Sequence, residues 1–165
     1  MPTKLPDAEQ LCTALAAQMR PRINVASTAL VGIHTGGVWV AERLHALLGL
    51  QTAPGAIDVS FYRDDYGQRG LHANTRTSHI PFEIEGAHII IVDDVLYTGR
   101  TIRAAMNELF DYGRPAKIEL AVLADRGGRE LPIAADFCAH SLGLPASQML
   151  ELERVANGAL AFRLT

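Results

Sequence analysis

Two adjacent carboxylates, Asp93 and Asp94, follow an apolar run and precede a turn rich in hydroxyl groups. The run, Ile89 to Val92, is β-branched and unbroken, which predicts a strand buried on both faces of a parallel sheet. Ligands of open α/β sheets bind beyond the carboxyl ends of such strands. Because ionised carboxylates cannot be buried without partners, these two require hydroxyl donors, a divalent cation or cationic side chains. The vicinal hydroxyls of a ribose are suitable partners.

The turn after the acids, residues 98–101, has the sequence Thr-Gly-Arg-Thr and offers the opposite polarity. It precedes a segment with helical apolar spacing, formed by Ile102, Ala105, Met106, Leu109 and Phe110. Unpaired N–H groups and the positive end of the dipole at a helix start favour phosphate. Gly99 can adopt the left-handed conformation that turns successive N–H groups toward one anion, and the threonines add hydroxyl donors. The acid pair and the turn therefore fit the two ends of one sugar 5-phosphate.

Two alternatives are compatible with parts of this pattern. Adjacent aspartates at a strand end also occur in solvated turns, although the Thr-Gly-x-Thr turn that follows favours a binding site. A signalling receiver domain also joins an acidic pair to a doubly wound sheet, but it needs a lysine at the end of a late strand. Lys117 precedes its predicted strand instead. The phosphate-binding motifs G-x-x-x-x-G-K-[ST] and G-x-G-x-x-G do not occur in the sequence.

The elements that must position these residues alternate between helix and strand, which predicts an α/β fold with a parallel sheet covered on both faces. The predicted elements are a helix from its cap at Asp7 to Arg20, a strand Ala29 to Ile33, a turn His34 to Gly37, a helix Val38 to Leu48, a strand Ile57 to Tyr62, a polar loop Arg63 to Ser78, the strand Ile89 to Val92, a helix Arg100 to Tyr112 and a strand Ile118 to Leu123. With 165 residues, 48% of them apolar, the chain is expected to form a single domain over residues 1–165.

Composition limits the possible partners. A net charge of -3 gives no global attraction to nucleic acid. Thirteen of the fifteen basic residues are arginines, which suit phosphate and diphosphate recognition but are equally compatible with a genomic composition bias. Cys12 and Cys138 indicate neither a disulfide framework nor a metal site. The first residues lack the apolar core of a secretory signal, so we expect a cytoplasmic protein without a membrane span.

Several motifs, in the same order, resemble the type I phosphoribosyltransferases, whose signature is a hydrophobic strand, two acidic residues and Thr-Gly-x-Thr. More narrowly, D-D-V-L-Y-T-G-R-T-I-R-A-A-M and G-R-P-A-K-I-E-L-A-V-L-A-D-R-G-G-R-E-L-P-I are similar to the family of pyrimidine operon regulators and uracil phosphoribosyltransferases, PyrR. The segments L-V-G-I-H-T-G-G-V-W-V-A-E-R-L and I-D-V-S-F-Y-R-D-D also match. The resemblance covers roughly Leu30 to Ala135.

This resemblance implies a type I phosphoribosyltransferase fold with a small hood over the active site. It also implies a Mg2+-dependent transfer from 5-phosphoribosyl-1-diphosphate (PRPP) to uracil, giving UMP and diphosphate, in a homodimer. The implied PRPP-binding residues are Asp93, Asp94, Val95, Leu96, Tyr97, Thr98, Gly99, Arg100 and Thr101, with Asp93, Asp94 and Arg63 as catalytic residues. Purine-using relatives often have Asp where this chain has Tyr97, so a pyrimidine base is favoured.

Two further segments acquire roles from the resemblance. His34, Thr35, Gly36 and Gly37 match the pyrophosphate loop, which often contains a non-proline cis peptide. Relatives commonly carry Lys and Arg in place of His34 and Gly37, and a protonated His34 can compensate, although a hydrogen-bonding or packing role is an equal alternative. Arg63, Arg69 and Arg76 match a flexible catalytic loop that closes over the diphosphate. For Trp39, a core or dimer contact is favoured over stacking on substrate.

The strand end at Asp125 and Arg126 is implied to lie near the base pocket, with Asp125 available to a Mg2+-bound water. The alternative for this pair is an exposed ion pair worth under about 1 kcal/mol. Many relatives also bind a leader RNA when UMP is present and cause transcription attenuation. Where they often have His, Arg and Lys, this chain has Gly128, Ala134 and His140. RNA binding in those relatives uses basic residues that include a run in the segment matching Gly127 to His140, where this chain keeps Arg129. This basic run is depleted here, so an enzyme is favoured over an RNA-binding regulator with weak catalysis or a transferase for another base.

Overall fold

The computed structural model describes residues 4–59 and 78–165 of the chain. The described elements are α1 (Ala8–Met19), a short 3-10 helix (Arg20–Arg22), β1 (Thr28–Ile33), α2 (Gly36–Leu48), β2 (Gly55–Ile57), β3 (His88–Leu96), α3 (Arg100–Tyr112), β4 (Lys117–Asp125), β5 (Phe137–Ser141), β6 (Leu150–Arg154) and β7 (Leu160–Leu164). Arg63, Arg69 and Arg76 lie outside the described residues, so the catalytic-loop prediction stays a prediction. No helix in the described part of the chain is long and apolar enough to cross a membrane.

Five strands form a parallel sheet in the order β2-β1-β3-β4-β5, and β6 and β7 form a separate antiparallel pair. The central strand β3 carries Ile89, Ile90, Ile91 and Val92, which are all fully buried. Their alternate side chains enter two cores, one beneath α1 and α2 and the other beneath α3. A strand buried on both faces needs such an uninterrupted apolar run. The predicted α/β fold with a mostly parallel sheet is confirmed.

The ends of several elements differ from the prediction. β3 and β4 extend past the apolar runs, to Leu96 and Asp125, because they stay paired up to the register Leu96↔Asp125. α2 begins at Gly36 rather than at residue 38, so both glycines belong to its first turn. β2 is Gly55–Ile57, the three residues that pair with β1, whereas the predicted strand ran from Ile57 to Tyr62, and residues 60–62 of it lie outside the described part of the chain. The helix α3 has its predicted bounds, and Asp7 caps α1 by accepting from the N–H of Gln10 at 3.1 Å.

The antiparallel pair of β6 and β7 contacts the end of β3 and occupies the place of the hood that the resemblance implied. Hydrogen bonds connect the turn between β6 and β7, and the start of β7, to the helices α1 and α2. The carboxylate of Glu9 on α1 accepts from Arg43 Nε of α2 at 3.0 Å and from the Leu160 N–H at 3.1 Å. Arg43 Nη2 also donates to the Gly158 carbonyl at 2.9 Å. The hood is therefore anchored to both helices of one sheet face.

Candidate active site

A cavity of about 710 Å³ opens where β3, the N-terminus of α2, the N-terminus of α3 and strand β6 meet. Its floor includes Thr35, Asp93, Asp94, Thr98, Arg100 and Thr101. These residues come from three separate segments that the sequence placed at the carboxyl edge of the sheet. The structure thus brings the acid pair, the Thr-Gly-x-Thr turn and the turn after β1 to one cavity.

Asp93 and Asp94 lie where β3 continues past its pairing with β1. Pairing between the two strands stops at Val92, which leaves the edge of β3 open beside the acids. Asp93 is 7% exposed and Asp94 is half-buried. One oxygen of Asp93 accepts from the Asp94 N–H at 2.9 Å, and one oxygen of Asp94 accepts from the Val95 N–H at 2.8 Å. These bonds orient both carboxylates, whose oxygens are acceptors for hydroxyl donors.

The glycines of the turn after β1 allow it to pack directly against the acid pair. A Cβ atom on Gly37 would lie 2.5 Å from the Val92 carbonyl oxygen and 3.1 Å from the Asp93 Cα. A Cβ atom on Gly36 would overlap the Asp94 carboxylate. The peptide bond between His34 and Thr35 is cis, as the resemblance implies for this loop. Only residues without a side chain permit this approach, which places the N-terminal N–H groups of α2 beside the carboxylates.

The start of α3 has the geometry of an anion cradle. Gly99 is left-handed, with φ of 95°, as the sequence predicted. The Thr98 hydroxyl accepts from the Arg100 N–H at 3.2 Å, and the first helical bond runs from the Arg103 N–H to the Gly99 carbonyl at 3.0 Å. The N–H groups between these two belong to the first helical turn, which has no acceptors within the helix. A phosphate group is a suitable acceptor for them.

The remaining residues of the predicted PRPP segment divide between cavity and core. Val95 and Tyr97 line the cavity. Leu96 is 1% exposed and packs into the core beneath α3, and its carbonyl accepts from the Arg126 N–H at 3.1 Å. Leu96 therefore supports the site from below instead of facing it.

Asp125 and Arg126 have different surroundings although they are adjacent. The Asp125 carboxylate accepts from Arg129 Nη2 at 2.6 Å and from the Gly127 N–H at 3.0 Å, and it does not line the cavity. Burial raises the pKa of Asp125, but the hydrogen bonds from Arg129 and Gly127 outweigh it, so the pKa lies below its usual value. Arg126 is 2% exposed and does line the cavity. Asp125 therefore pairs with Arg129 in a partly buried ion pair rather than with Arg126 in an exposed one, and of the two predicted base-pocket residues only Arg126 faces the cavity.

The hood supplies cavity residues that the sequence analysis missed. Strand β6 contributes its residues up to Glu153, β7 contributes Arg163, and Arg163 Nη2 pairs with Glu151 at 2.8 Å. The signal was present in the sequence, since Asn157-Gly158 is a strong hairpin turn between two segments with alternating apolar residues. Trp39 also lines the cavity, with the Arg154 guanidinium 4.9 Å from its ring centroid. Trp39 also packs against the core beneath α1 and α2, so the predicted core contact is present together with the cavity position that was not predicted.

The donor chemistry at the floor fits a hard divalent cation held largely by its substrate. Within residues 4–59 and 78–165, no group of three or more His, Cys, Asp or Glu side chains is arranged to hold a metal. Asp93 and Asp94 nevertheless offer carboxylate oxygens beside the anion cradle, and Mg2+ usually keeps few protein ligands and several water or phosphate oxygens. The predicted role of Asp125 toward a metal-bound water has less support, because Arg129 and Gly127 occupy its oxygens.

The segment implied in RNA binding contains few free cations. Gly128 has φ of 83°, Ala134 lines a second cavity of about 290 Å³, and His140 is half-buried on β5. The guanidinium of Arg129, the basic residue that remains there, donates to Asp125, to the Tyr97 carbonyl at 2.5 Å and to the Ile133 carbonyl at 2.7 Å. These internal bonds engage all three of its nitrogens.

Comparisons with known proteins place this site in context. The family model described as Phosphoribosyl transferase domain matches residues 3–140. Two proteins named "Bifunctional protein PyrR" are each 50% identical: that of Pseudomonas aeruginosa (strain LESB58) over 94% of both chains, and that of Ralstonia nicotianae over 94% of this chain and 90% of the relative. Among solved structures, a hypoxanthine-guanine phosphoribosyltransferase from Bacillus anthracis matches with a TM-score of 0.68 and 16% identity, covering 85% of this chain and 84% of its own.

Proposed function

The chain belongs to the phosphoribosyl transferase family, among the PyrR proteins, and from this we propose that it is a uracil phosphoribosyltransferase acting in pyrimidine salvage. It transfers the phosphoribosyl group of PRPP to uracil and releases UMP and diphosphate. The observation that carries the proposal is that Asp93, Asp94 and the turn of residues 98–101 line one cavity, with Gly36 and Gly37 packed against the two carboxylates.

Each part of the sugar substrate has a chemically matched place in this cavity. The 5-phosphate binds the first-turn N–H groups of α3 and the hydroxyls of Thr98 and Thr101. The ribose hydroxyls donate to Asp93 and Asp94. The diphosphate lies at the N-terminus of α2, beside the turn of residues 34–37. Bound in this way, the anomeric carbon faces the part of the cavity that Tyr97, Arg126 and the hood line.

The reaction is a substitution at the anomeric carbon by uracil N1, with diphosphate as the leaving group. Positive charge develops on the ribose ring as the leaving group departs. Asp93 and Asp94 lie beside that charge, and the N–H groups at the start of α2 stabilise the departing anion, so catalysis comes mainly from positioning and electrostatics. When bound, Mg2+ would further neutralise the diphosphate, and Asp93 and Asp94 are the carboxylates that would hold it.

Release of diphosphate from PRPP, measured side by side with uracil, hypoxanthine and orotate, tests this proposal. Uracil is expected to support turnover, and the other two bases are expected to be poor substrates. Turnover with hypoxanthine or orotate in preference to uracil would show a transferase for another base. Absence of turnover with all three, in the presence of Mg2+, would overturn the assignment as an enzyme.

A second proposed function is regulation of pyrimidine genes by UMP-dependent binding of a leader RNA, since the relatives are named bifunctional. We expect this binding to be weak, because the Arg129 guanidinium is engaged internally and glycine, alanine and a half-buried histidine stand at positions 128, 134 and 140. A gel-shift titration with the organism's own pyrimidine leader, with and without UMP, tests it. Tight, UMP-dependent binding combined with slow turnover would indicate mainly a regulator.

A cytoplasmic location, a single domain and a homodimeric state remain predictions. Light scattering coupled to size-exclusion chromatography measures the last of these directly. A monomer at the concentrations used for the activity assay would contradict it.

A further inference from the structure

Arg126 is a buried cation in the wall of the cavity. Its Nη1 donates to the Gln148 carbonyl at 2.7 Å and its Nη2 to the Pro145 carbonyl at 2.9 Å. Its Nε is buried and has no hydrogen-bond partner. Within the described parts of the chain, no carboxylate pairs with it. Neutral groups therefore hold the guanidinium, and no counter-charge in these parts of the chain offsets its positive charge.

The same guanidinium fixes the aromatic ring of Tyr97. The Arg126 Cζ lies 3.9 Å from the centroid of the Tyr97 ring. Gly128 packs against the ring edge so closely that a Cβ atom there would lie 2.5 Å from Tyr97 Cε1. Arg129 donates to the Tyr97 carbonyl at 2.5 Å. Arg126 thus stacks on a ring that lines the cavity. It also binds residues 145–148, the segment that leads into β6.

Among the described residues, no charged group of the cavity forms an ion pair with Arg126. The described charged groups are Asp93 and Asp94 on β3, Arg100 on α3, Glu151 and Glu153 on β6, and Arg163 on β7. Arg100 pairs with Glu130 at 3.0 Å and Arg163 pairs with Glu151 at 2.8 Å, and both arginine side chains are about half exposed, at 42% and 56%. Water screens the electrostatic fields of Arg100 and Arg163, whereas the field of Arg126, which is 2% exposed, is screened little.

We propose that Arg126 makes uracil more reactive by stabilising its N1 anion, the form that attacks the anomeric carbon. This inference rests on the proposed function. Before attack, the N1 proton passes to solvent water. The N1 electron pair then forms the bond to the anomeric carbon while the carbon–oxygen bond to diphosphate breaks, and diphosphate leaves with that electron pair. A buried positive charge beside the base favours the anion over the neutral base.

A comparison of uracil with 5-fluorouracil, whose N–H is more acidic, tests this role. In Arg126→Gln, kcat/KM for uracil is expected to fall by about tenfold or more. The loss for 5-fluorouracil is expected to be smaller, because that base forms its anion with less help. The preference for 5-fluorouracil should rise by about threefold or more. In the same variant, the rise of kcat/KM for uracil with pH should move to higher pH.

Two further variants separate charge from packing. Arg126→Lys keeps the charge but not the bonds to both carbonyls, so it should keep the wild-type preference between the two bases even if turnover falls. Arg154→Gln is the matched control, because Arg154 also stacks on a cavity-lining ring but is 42% exposed and has a carboxylate partner, Glu42, at 3.6 Å. It should leave both the base preference and the pH profile unchanged.

Equal losses for both bases in Arg126→Gln, with an unchanged pH profile, would overturn the inference and leave Arg126 a purely structural role. If that variant does not fold, fluorine NMR of 5-fluorouracil bound to the wild-type protein with ribose 5-phosphate provides the test. Bound 5-fluorouracil should ionise at a lower pH than the free base, and ionisation at the same or a higher pH would also overturn it. Lack of uracil turnover by the wild-type protein would instead refute the proposed function.

Discussion

Replacing Gly36 or Gly37 by alanine should have different effects, one on the stability of the protein and the other on its activity. At Gly37 the new Cβ would lie 2.5 Å from a backbone atom, the Val92 carbonyl oxygen, which cannot move without shifting β3. At Gly36 it would overlap the Asp94 carboxylate, a side chain that can rotate away by giving up its 2.8 Å bond from the Val95 N–H. Gly37→Ala should therefore mainly cost stability, and Gly36→Ala should mainly cost activity.

Overpacking costs roughly 1–3 kcal/mol, and alanine regains up to about 1 kcal/mol over glycine within a helix. A net loss of roughly 1–2 kcal/mol is thus expected for Gly37→Ala, which lowers Tm by about 2–8 °C in a domain of this size. For Gly36→Ala, Tm should change less, while kcat/KM falls by about tenfold or more because Asp94 no longer faces the ribose.

Thermal unfolding by circular dichroism and diphosphate release from PRPP measure the two effects. Gly143→Ala is the control, because a Cβ at Gly143 has no neighbour within 4 Å. Its stability should stay within about 0.5 kcal/mol of wild type. If Gly36→Ala and Gly37→Ala both match Gly143→Ala in Tm and turnover, the close packing of this turn against the acids has no functional meaning.

Three other substitutions test the chemistry and the supports of the site. Asp94→Asn should lower kcat/KM by about tenfold or more with an unchanged unfolding transition, and wild-type turnover would contradict its assignment. The Arg43 hydrogen bond lowers the pKa of Glu9 below 4.5, so the stabilisation from ionised Glu9 is present above that pH and lost below it. The stability advantage of wild type over Glu9→Gln in urea unfolding should therefore shrink between about pH 7 and about pH 4, and a constant difference would refute the linkage. The Glu119 side chain is 3% exposed and accepts from His88 Nε2 at 2.7 Å. Glu119→Ala should therefore lower the free energy of unfolding by about 1–3 kcal/mol. Urea unfolding measures this change, and an unchanged midpoint would contradict it.

The parts of the site that depend on neighbouring residues in the chain could be predicted from the sequence. The bounds of α3 follow from its apolar spacing and from the glycines at both ends, and the left-handed Gly99 follows from the turn it must make. The extension of β3 through Asp93 and Asp94 could not be read from residue types, because it depends on pairing with β4 alone.

The contacts of Arg126 could not be predicted from the sequence, because they depend on tertiary structure. Its partners, the carbonyls of Pro145 and Gln148, lie in a segment without apolar periodicity, and any residue type supplies a carbonyl. By contrast, the resemblance implied a hood but not its position in the chain, and the Asn157-Gly158 turn between two alternating segments could have located its strands β6 and β7. The position of Trp39 at the cavity was not predicted either, because strand β6, which lines the same cavity, was not located from the sequence.

The most direct test of the central claim is a crystal structure of the protein with ribose 5-phosphate and Mg2+. We predict the phosphate at the N-terminus of α3, against residues 98–101, and the ribose hydroxyls on Asp93 and Asp94. A ligand bound elsewhere, with that turn and both carboxylates uninvolved, would contradict the assignment of this cavity as the phosphoribosyl site.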